Sequence, residues 1–333
     1  MTRNVVISAV DGQTGFLIAE LILTNNDFSS KIDSVFGLAM DINHSKCKLL
    51  KELGAEILHH VPGIEKDIVK ILKHANADTI CIIPPAHEEK FDITMELINA
   101  TKKANMQNVC LLSAAGADMA ERDKQPRLRE FIDIEQAVLI TKGDTSTETG
   151  HSPVIIRAGF YLENLLAYSP QAKNDRVIPL PIGDSHKFAP MALGDVALVT
   201  AHVLSGKGEH GFDDKHRGQL IVVTGPLLTA GNELAEAAKQ ALDEDMEFED
   251  ISPREAERVL KKQAETNISE IQYLLEYYSL VREGKLNYIS TNAFHDITGQ
   301  HVQEPVEWFK IYKSEFVKGE EKHQNKKRKM NGK

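Results

Sequence analysis

Apolar residues along the chain follow two different spacings. Short continuous runs, among them Val5-Val6-Ile7-Ser8-Ala9, Val35-Phe36-Gly37-Leu38-Ala39 and Thr79-Ile80-Cys81-Ile82-Ile83, are rich in β-branched residues, as strands buried on both faces of a parallel sheet must be. Ala55-Glu56-Ile57-Leu58, Val109-Cys110-Leu111-Leu112 and Val154-Ile155-Ile156 continue the series. Between most of these runs apolar positions return at helical spacing, as at Leu17, Ile18, Leu21 and Ile22. Such alternation predicts an α/β fold, a doubly wound parallel sheet with helices on both faces, over residues 1–157.

Beyond Arg157 the pattern breaks up. Pro170, Pro179, Pro181, Gly183 and Pro190 predict irregular loops. Ala192 to Leu204 then reads as a helix, and Leu220-Ile221-Val222-Val223 as a strand that returns to the sheet. Helices are expected at residues 234–242, 253–264 and 268–283, the last presenting Ile271, Leu274, Leu275, Tyr278, Leu280 and Val281 as a packing face. Residues 158–317 are therefore expected to form a smaller, mostly helical substrate lobe with returning core elements. Residues 318–333, with Lys326-Lys327-Arg328-Lys329, are expected to form a basic, disordered tail.

Composition narrows the classes. The 333 residues, 42% hydrophobic and 26% charged, suit a folded chain of about two domains. Thirty-nine basic against 49 acidic residues give a net charge of −10, which repels a phosphate backbone and argues against nucleic acid as the main partner. No run approaches the ~18 apolar residues of a membrane span, and the start lacks the apolar block of a secretory signal. Cys47, Cys81 and Cys110 form no CxxC pair, which fits a reducing, cytoplasmic setting. The basic run at 326–329 could direct nuclear import or be a solvated end. No metal is expected, because His59-His60 and His87-Glu88-Glu89 lack the i, i+4 spacing of a zinc helix.

The candidate chemistry begins at Ala9-Val10-Asp11-Gly12-Gln13-Thr14-Gly15, between the first strand and first helix. Glycine lets backbone approach a pyrophosphate, and the amides and dipole of the helix start favour an anion. The spacing is that of GxxGxxG with alanine first, and Asp11 places a carboxylate near the expected phosphate path. Asp41, after the second strand, could accept a ribose hydroxyl or cap the next helix. Pro84 and Pro85 end the fourth strand beside the groove, as a wall or simply as a strand stop.

With these segments, Leu111-Leu112-Ser113-Ala114-Ala115-Gly116-Ala117-Asp118, Arg157-Ala158-Gly159-Phe160-Tyr161-Leu162-Glu163-Asn164 and Leu193-Gly194-Asp195-Val196-Ala197 make the chain resemble the NmrA-like family of atypical short-chain dehydrogenases, as do Thr298 to His301 and Pro305 to Phe309. The resemblance covers most of the chain. It implies a Rossmann-type fold that binds NADP or NAD. Some members reduce quinones, dyes or related carbonyl compounds, and others sense the dinucleotide without turnover. It also implies a phosphate-facing position at Met40, where the family commonly has arginine, a further cofactor contact at Lys46, and Ser113 beside the nicotinamide.

No Tyr-x-x-x-Lys pair follows the fifth strand, where the chain reads Phe131-Ile132-Asp133-Ile134-Glu135-Gln136-Ala137-Val138. Asp133 or Ile134 stands where many relatives keep a lysine. Quinone reduction needs less acid catalysis than alkoxide formation and stays open. Ser113 and Tyr161 are the candidate catalytic residues. Phe160, Tyr161 and Asn164 are the candidate walls for a flat ligand, although core packing accounts for the aromatics equally. The expected activity is NAD(P)-dependent reduction of a small aromatic or carbonyl substrate; the alternative is an inactive dinucleotide sensor that binds a regulatory protein partner.

Overall fold

The computed structural model describes residues 3–140, 152–262 and 267–318; the basic run at 326–329 lies outside them. Strands β1 (Asn4–Ile7), β2 (Ser34–Ala39), β3 (Glu56–His59), β4 (Thr79–Ile82), β5 (Asn108–Ala114), β6 (Val154–Ala158) and β8 (Leu220–Val223) form one parallel sheet. Their order is β3-β2-β1-β4-β5-β6-β8. This is the Rossmann-type doubly wound sheet, with helices on both faces. Strand order reverses between β1 and β4, so their carboxyl ends open a crevice there, the usual ligand position in such sheets.

Alternation along each strand sorts the core. Val5 and Ile7 point to one face, where Ile18, Ile22, Val196, Val199 and Val203 cover them. Val6, Ile80, Ile82 and Leu111 point to the other, under Ile68, Leu72, Leu97, Ile134 and Val138. Both faces are dry, which explains the unbroken apolar runs.

A second core lies beyond β6. Trp308, Tyr168, Tyr278, Phe160, Phe188, Phe309 and Phe316 are almost fully buried in it. Helices Gly231–Leu242, Pro253–Lys262, Ile268–Arg282 and Pro305–Ile311 supply most of its walls. Strands β7 (Val177–Leu180) and β9 (Glu247–Asp250) pair in parallel beside them. Sequence reading does not anticipate this pair. Pro179 argued against a strand, but in a two-stranded sheet each strand is an edge, where proline costs no ladder bond on its open side. Glu247, Glu249 and Asp250 make β9 look like a loop, and they are the charges that keep an open edge from pairing further.

Helix Ile268–Arg282 fastens the lobe to the sheet domain. Asn267 caps it through Ser269 N–H, and its buried Glu276 accepts the Leu128 amide at 2.8 Å in the first turn of helix Pro126–Leu139. A carboxylate at that helix start is favoured by the dipole. Gln125 donates to Ser279 at 2.9 Å nearby. Two helices far apart in sequence are thus held together over the crevice. Among the described residues no helix is long and apolar enough to cross a membrane.

Candidate active site

The turn after β1 is held open by its own backbone. Ser8 both donates to the Ile83 carbonyl at 3.2 Å and accepts its amide at 2.7 Å, tying β1 to the end of β4. Ala9 then takes φ +52°, in the left-handed region, and Gly12 N–H closes the turn on the Ala9 carbonyl at 3.0 Å. Helix Gln13–Thr24 starts at Gly12 with no side-chain cap. A Cβ on Gly15 would stand 2.7 Å from the Ser8 carbonyl oxygen and closer still to that of Ala9. The helix therefore packs onto the turn where only glycine fits, and its exposed start faces the crevice. This cradle suits a pyrophosphate, the anion that free helix-start amides favour.

A cavity of about 320 Å³ runs from this turn to the helical lobe. Ala9, Gly12, Gln13, Thr14 and Gly15 floor one end, and Pro84, Ser113, Tyr161 and Asn164 line its length. At the far end stand Lys90, Phe131, Ser269, Glu270 and Tyr273, with Glu163 also on the wall. Most of the residues proposed from sequence thus meet in one hollow.

Others do not. Phe160 was a candidate substrate wall; it is 2% exposed and packs its ring on Phe188, Tyr277 and Tyr278, in the lobe's core rather than on the cavity. Its neighbour Tyr161 faces the opposite way, as alternate residues in extended chain do. Asp11, Met40, Asp41 and Lys46 lie off the main cavity at the end of β2. There Asp11 Oδ2 accepts the Met40 and Asp41 amides at 3.0 and 2.9 Å, and Asp41 Oδ1 accepts that of Asn43 at 2.9 Å. Lys46 sits in the first turn of helix Ser45–Glu52, its amide bonded to His44 Nδ1 at 3.2 Å.

Electrostatics differ along the cavity. Ser113 Oγ donates to Glu135 at 2.5 Å, and Glu135 takes Arg157 in a two-point bond of 2.9 and 2.8 Å. Arg157 also pairs with Asp118 at 3.1 Å. Ser113 and Arg157 are register partners on β5 and β6, so the sheet itself sets this network. The bond to Glu135, with its carboxylate, raises Arg157 above its ordinary value.

At the lobe end the balance is looser. Lys90 Nζ lies 4.3 Å from the Phe131 ring centre and 5.8 Å from that of Tyr273, bonded to the Arg127 carbonyl at 3.0 Å with Glu130 at 3.5 Å. Burial lowers its pKa, and burial raises those of Glu270 and Tyr273. Burial also pushes the Tyr161 phenol up, while a hydrogen bond with Thr14 acts in the other direction. Each of these groups is thus biased toward its neutral form.

Lys90, Phe131, Glu270 and Tyr273 escape sequence reading because they come from the starts of two helices and the wall of a third. One signal exists: Lys90 falls on the apolar stripe of helix Lys90–Lys103 with Ile93, Thr94, Leu97 and Thr101, all buried. A lysine on such a stripe must be buried or snorkel.

No family model matches the chain. It is 27% identical over 185 residues to prestalk A differentiation protein A of Dictyostelium discoideum, a match covering 54% of this chain and 58% of that protein. To the NAD(P)H azoreductase of Xenophilus azovorans it is 22% identical over 183 residues, covering 55% of this chain and 58% of that protein. The matches thus span under two thirds of these relatives' length. Among solved structures, the NADPH-dependent quinone oxidoreductase of Escherichia coli complexed with NADPH superposes with a TM-score of 0.74 at 19% identity, covering 92% of this chain and 99% of that one. The triphenylmethane reductase of Citrobacter sp. complexed with NADP(H) gives 0.74 at 14% identity, with 93% and 99% covered. These likenesses are of fold, and the fold is the one that the NmrA-like resemblance implies.

Proposed function

From that shared fold and the cavity, we propose that the chain is an NAD(P)-dependent oxidoreductase that reduces a flat, electron-poor acceptor, a quinone or related carbonyl compound, by hydride transfer. One observation carries the reading. A single cavity joins the glycine turn to an end walled by Phe131, Tyr161 and Tyr273, with Lys90 and Glu270 between them. The turn grips the pyrophosphate through the amides of Gln13 and Thr14. Bound so, the reduced nicotinamide would supply the hydride. Ser113 gives its proton to Glu135 and so offers the cavity a lone pair, suited to an amide donor. Phe131 and Tyr273 offer faces to a flat acceptor. Lys90 stands over both rings and Tyr161 lines the same cavity; Tyr161 stays neutral across physiological pH and can donate a hydrogen bond to an acceptor oxygen.

The protein is titrated with NADH and NADPH while nucleotide fluorescence is followed. A panel of quinones, azo dyes and aldehydes is then tested for nucleotide oxidation. Saturable binding and oxidation of the nucleotide above the protein-free rate are expected. Binding without turnover across the panel would favour the sensor; no saturable response to either nucleotide would overturn the reading.

A further inference from the structure

At the carboxyl end of β2 the chain commits two backbone amides to one of its own carboxylates. Asp11 reaches out of the glycine turn, and its Oδ2 accepts Met40 N–H at 3.0 Å and Asp41 N–H at 2.9 Å. In doubly wound sheets this edge of the crevice lies beside the ribose of the adenosine half, where an acidic group accepts the 2′-hydroxyl and a guanidinium accommodates a 2′-phosphate. We propose that Asp11 is a built-in occupant of the seat a 2′-phosphate would take, so that the site selects a dinucleotide with a free 2′-hydroxyl, NADH rather than NADPH. The proposal rests on the function proposed above and names its coenzyme.

The physical case has three parts. The amides that could bind an incoming phosphate converge on one carboxylate oxygen and are already satisfied. A dianion arriving there meets Asp11 and Asp41 together, and two like charges within a few ångströms oppose it at any dielectric. The residue just after the strand is Met40, whose thioether has no charge to offer. Lys46 and Lys51 act on the same Cys47 thiol as Asp11 and Asp41, so cationic charge is near, but it comes from helix Ser45–Glu52 rather than from the strand end. A ribose hydroxyl brings a donor instead. The remaining oxygen of Asp11, or that of Asp41, can accept it as a charge-assisted hydrogen bond.

The test compares equilibrium binding of NADH and NADPH to the full chain and to Asp11→Asn, Asp11→Thr and the double change Asp11→Thr, Met40→Arg. Thermal melting of each variant confirms that it is folded. Asp11→Asn keeps an oxygen for the two amides and removes only the charge. The wild-type chain should bind NADH more tightly by roughly tenfold or more, the ratio that about 1.4 kcal/mol produces. Asp11→Asn should narrow that ratio several-fold through a gain in NADPH affinity, and the double change should invert it. Equal or tighter NADPH binding by the wild-type chain, or an unaltered ratio in Asp11→Asn, overturns the proposal and leaves the reductase reading standing. Failure to bind either nucleotide overturns both.

Discussion

The two ends of the cavity handle buried charge in opposite ways. At the sheet end, Ser113, Glu135, Arg157 and Asp118 form a closed network in which a carboxylate 4% exposed meets a guanidinium 12% exposed at two points. At the lobe end, Lys90 stands over the faces of Phe131 and Tyr273 with the Arg127 carbonyl at 3.0 Å and Glu130 at 3.5 Å, and its charge offsets only part of the burial of Glu270. The first arrangement fixes geometry, because Glu135 is held by Ser113 and Arg157 together, and Arg157 by Glu135 and Asp118. The second leaves proton occupancy free to change. A site that must hold one ligand still and deliver a proton to another needs both.

Cutting the sheet-end network gives the largest expected effect. Glu135→Ala strands Arg157 beside Asp118 alone, and breaking a buried pair of this kind costs about 3 kcal/mol or more. Lys90→Met keeps an apolar stem on the same rings and leaves Glu130, whose side chain is a quarter exposed to water, so it should cost less, about 1–2 kcal/mol. Urea unfolding of both variants measures the gap. Equal losses would mean that the two ends do not differ as the geometry says.

Next comes the turn. Gly12 has φ −83° and ψ 171°, which any residue can adopt, and a Cβ there would lie 3.2 Å from the Ala9 carbonyl. Gly12→Val should therefore leave stability within about 1 kcal/mol while lowering dinucleotide affinity at least roughly tenfold, because the branched side chain covers the helix-start amides. Unchanged affinity would remove the pyrophosphate from this turn.

The lobe end is tested by pH. Burial raises Glu270, so the folded chain holds that proton more tightly than the unfolded one. Its contribution to stability is complete below the ordinary carboxylate value and is lost as pH rises through the raised one. Melting temperature in Glu270→Gln should consequently fall less over that window than in the wild-type chain. Asp195, which burial pushes up to about 6, acts with the same sign, so Asp195→Asn is measured beside it. Lys90 is lowered, and an alkaline limb in kcat/KM below the ordinary lysine range should vanish in Lys90→Met. A limb that survives assigns the proton to a group other than Lys90, and not to Tyr161, whose phenol burial pushes above that range.

The same contrast explains what could be read from the chain. The sheet is written locally: Val5-Val6-Ile7 carries its own strand signal, and Gly12 and Gly15 mark the turn wherever the rest of the chain goes. Ser113 is legible as a position but not in its role, since the Glu135 that takes its proton lies on a helix 22 residues away. Phe160 and Tyr161 share one motif yet serve core and cavity separately, a division set by strand alternation and by Tyr277 and Tyr278 arriving from helix Ile268–Arg282. Lys90, Phe131, Glu270 and Tyr273 acquire meaning only when three helices converge. β7 and β9 were missed for a different reason: a proline and a run of acids obey edge-strand rules that apply only once the pair is known.

The smallest effect concerns Ala9, and it bears on whether the turn is damaged or merely strained. At φ +52° an L-residue is disfavoured by about 1–2 kcal/mol, which glycine avoids at the cost of a freer unfolded chain. Ala9→Gly should then stabilise the protein by only about 0.5 kcal/mol, read as a small rise in melting temperature. Nucleotide affinity should hardly change, because the Cβ lies on a residue whose carbonyl already receives Gly12 N–H. A large gain in affinity would instead identify the methyl as an obstruction, and would place the sheet end of the cavity, rather than the lobe end, in control of what enters.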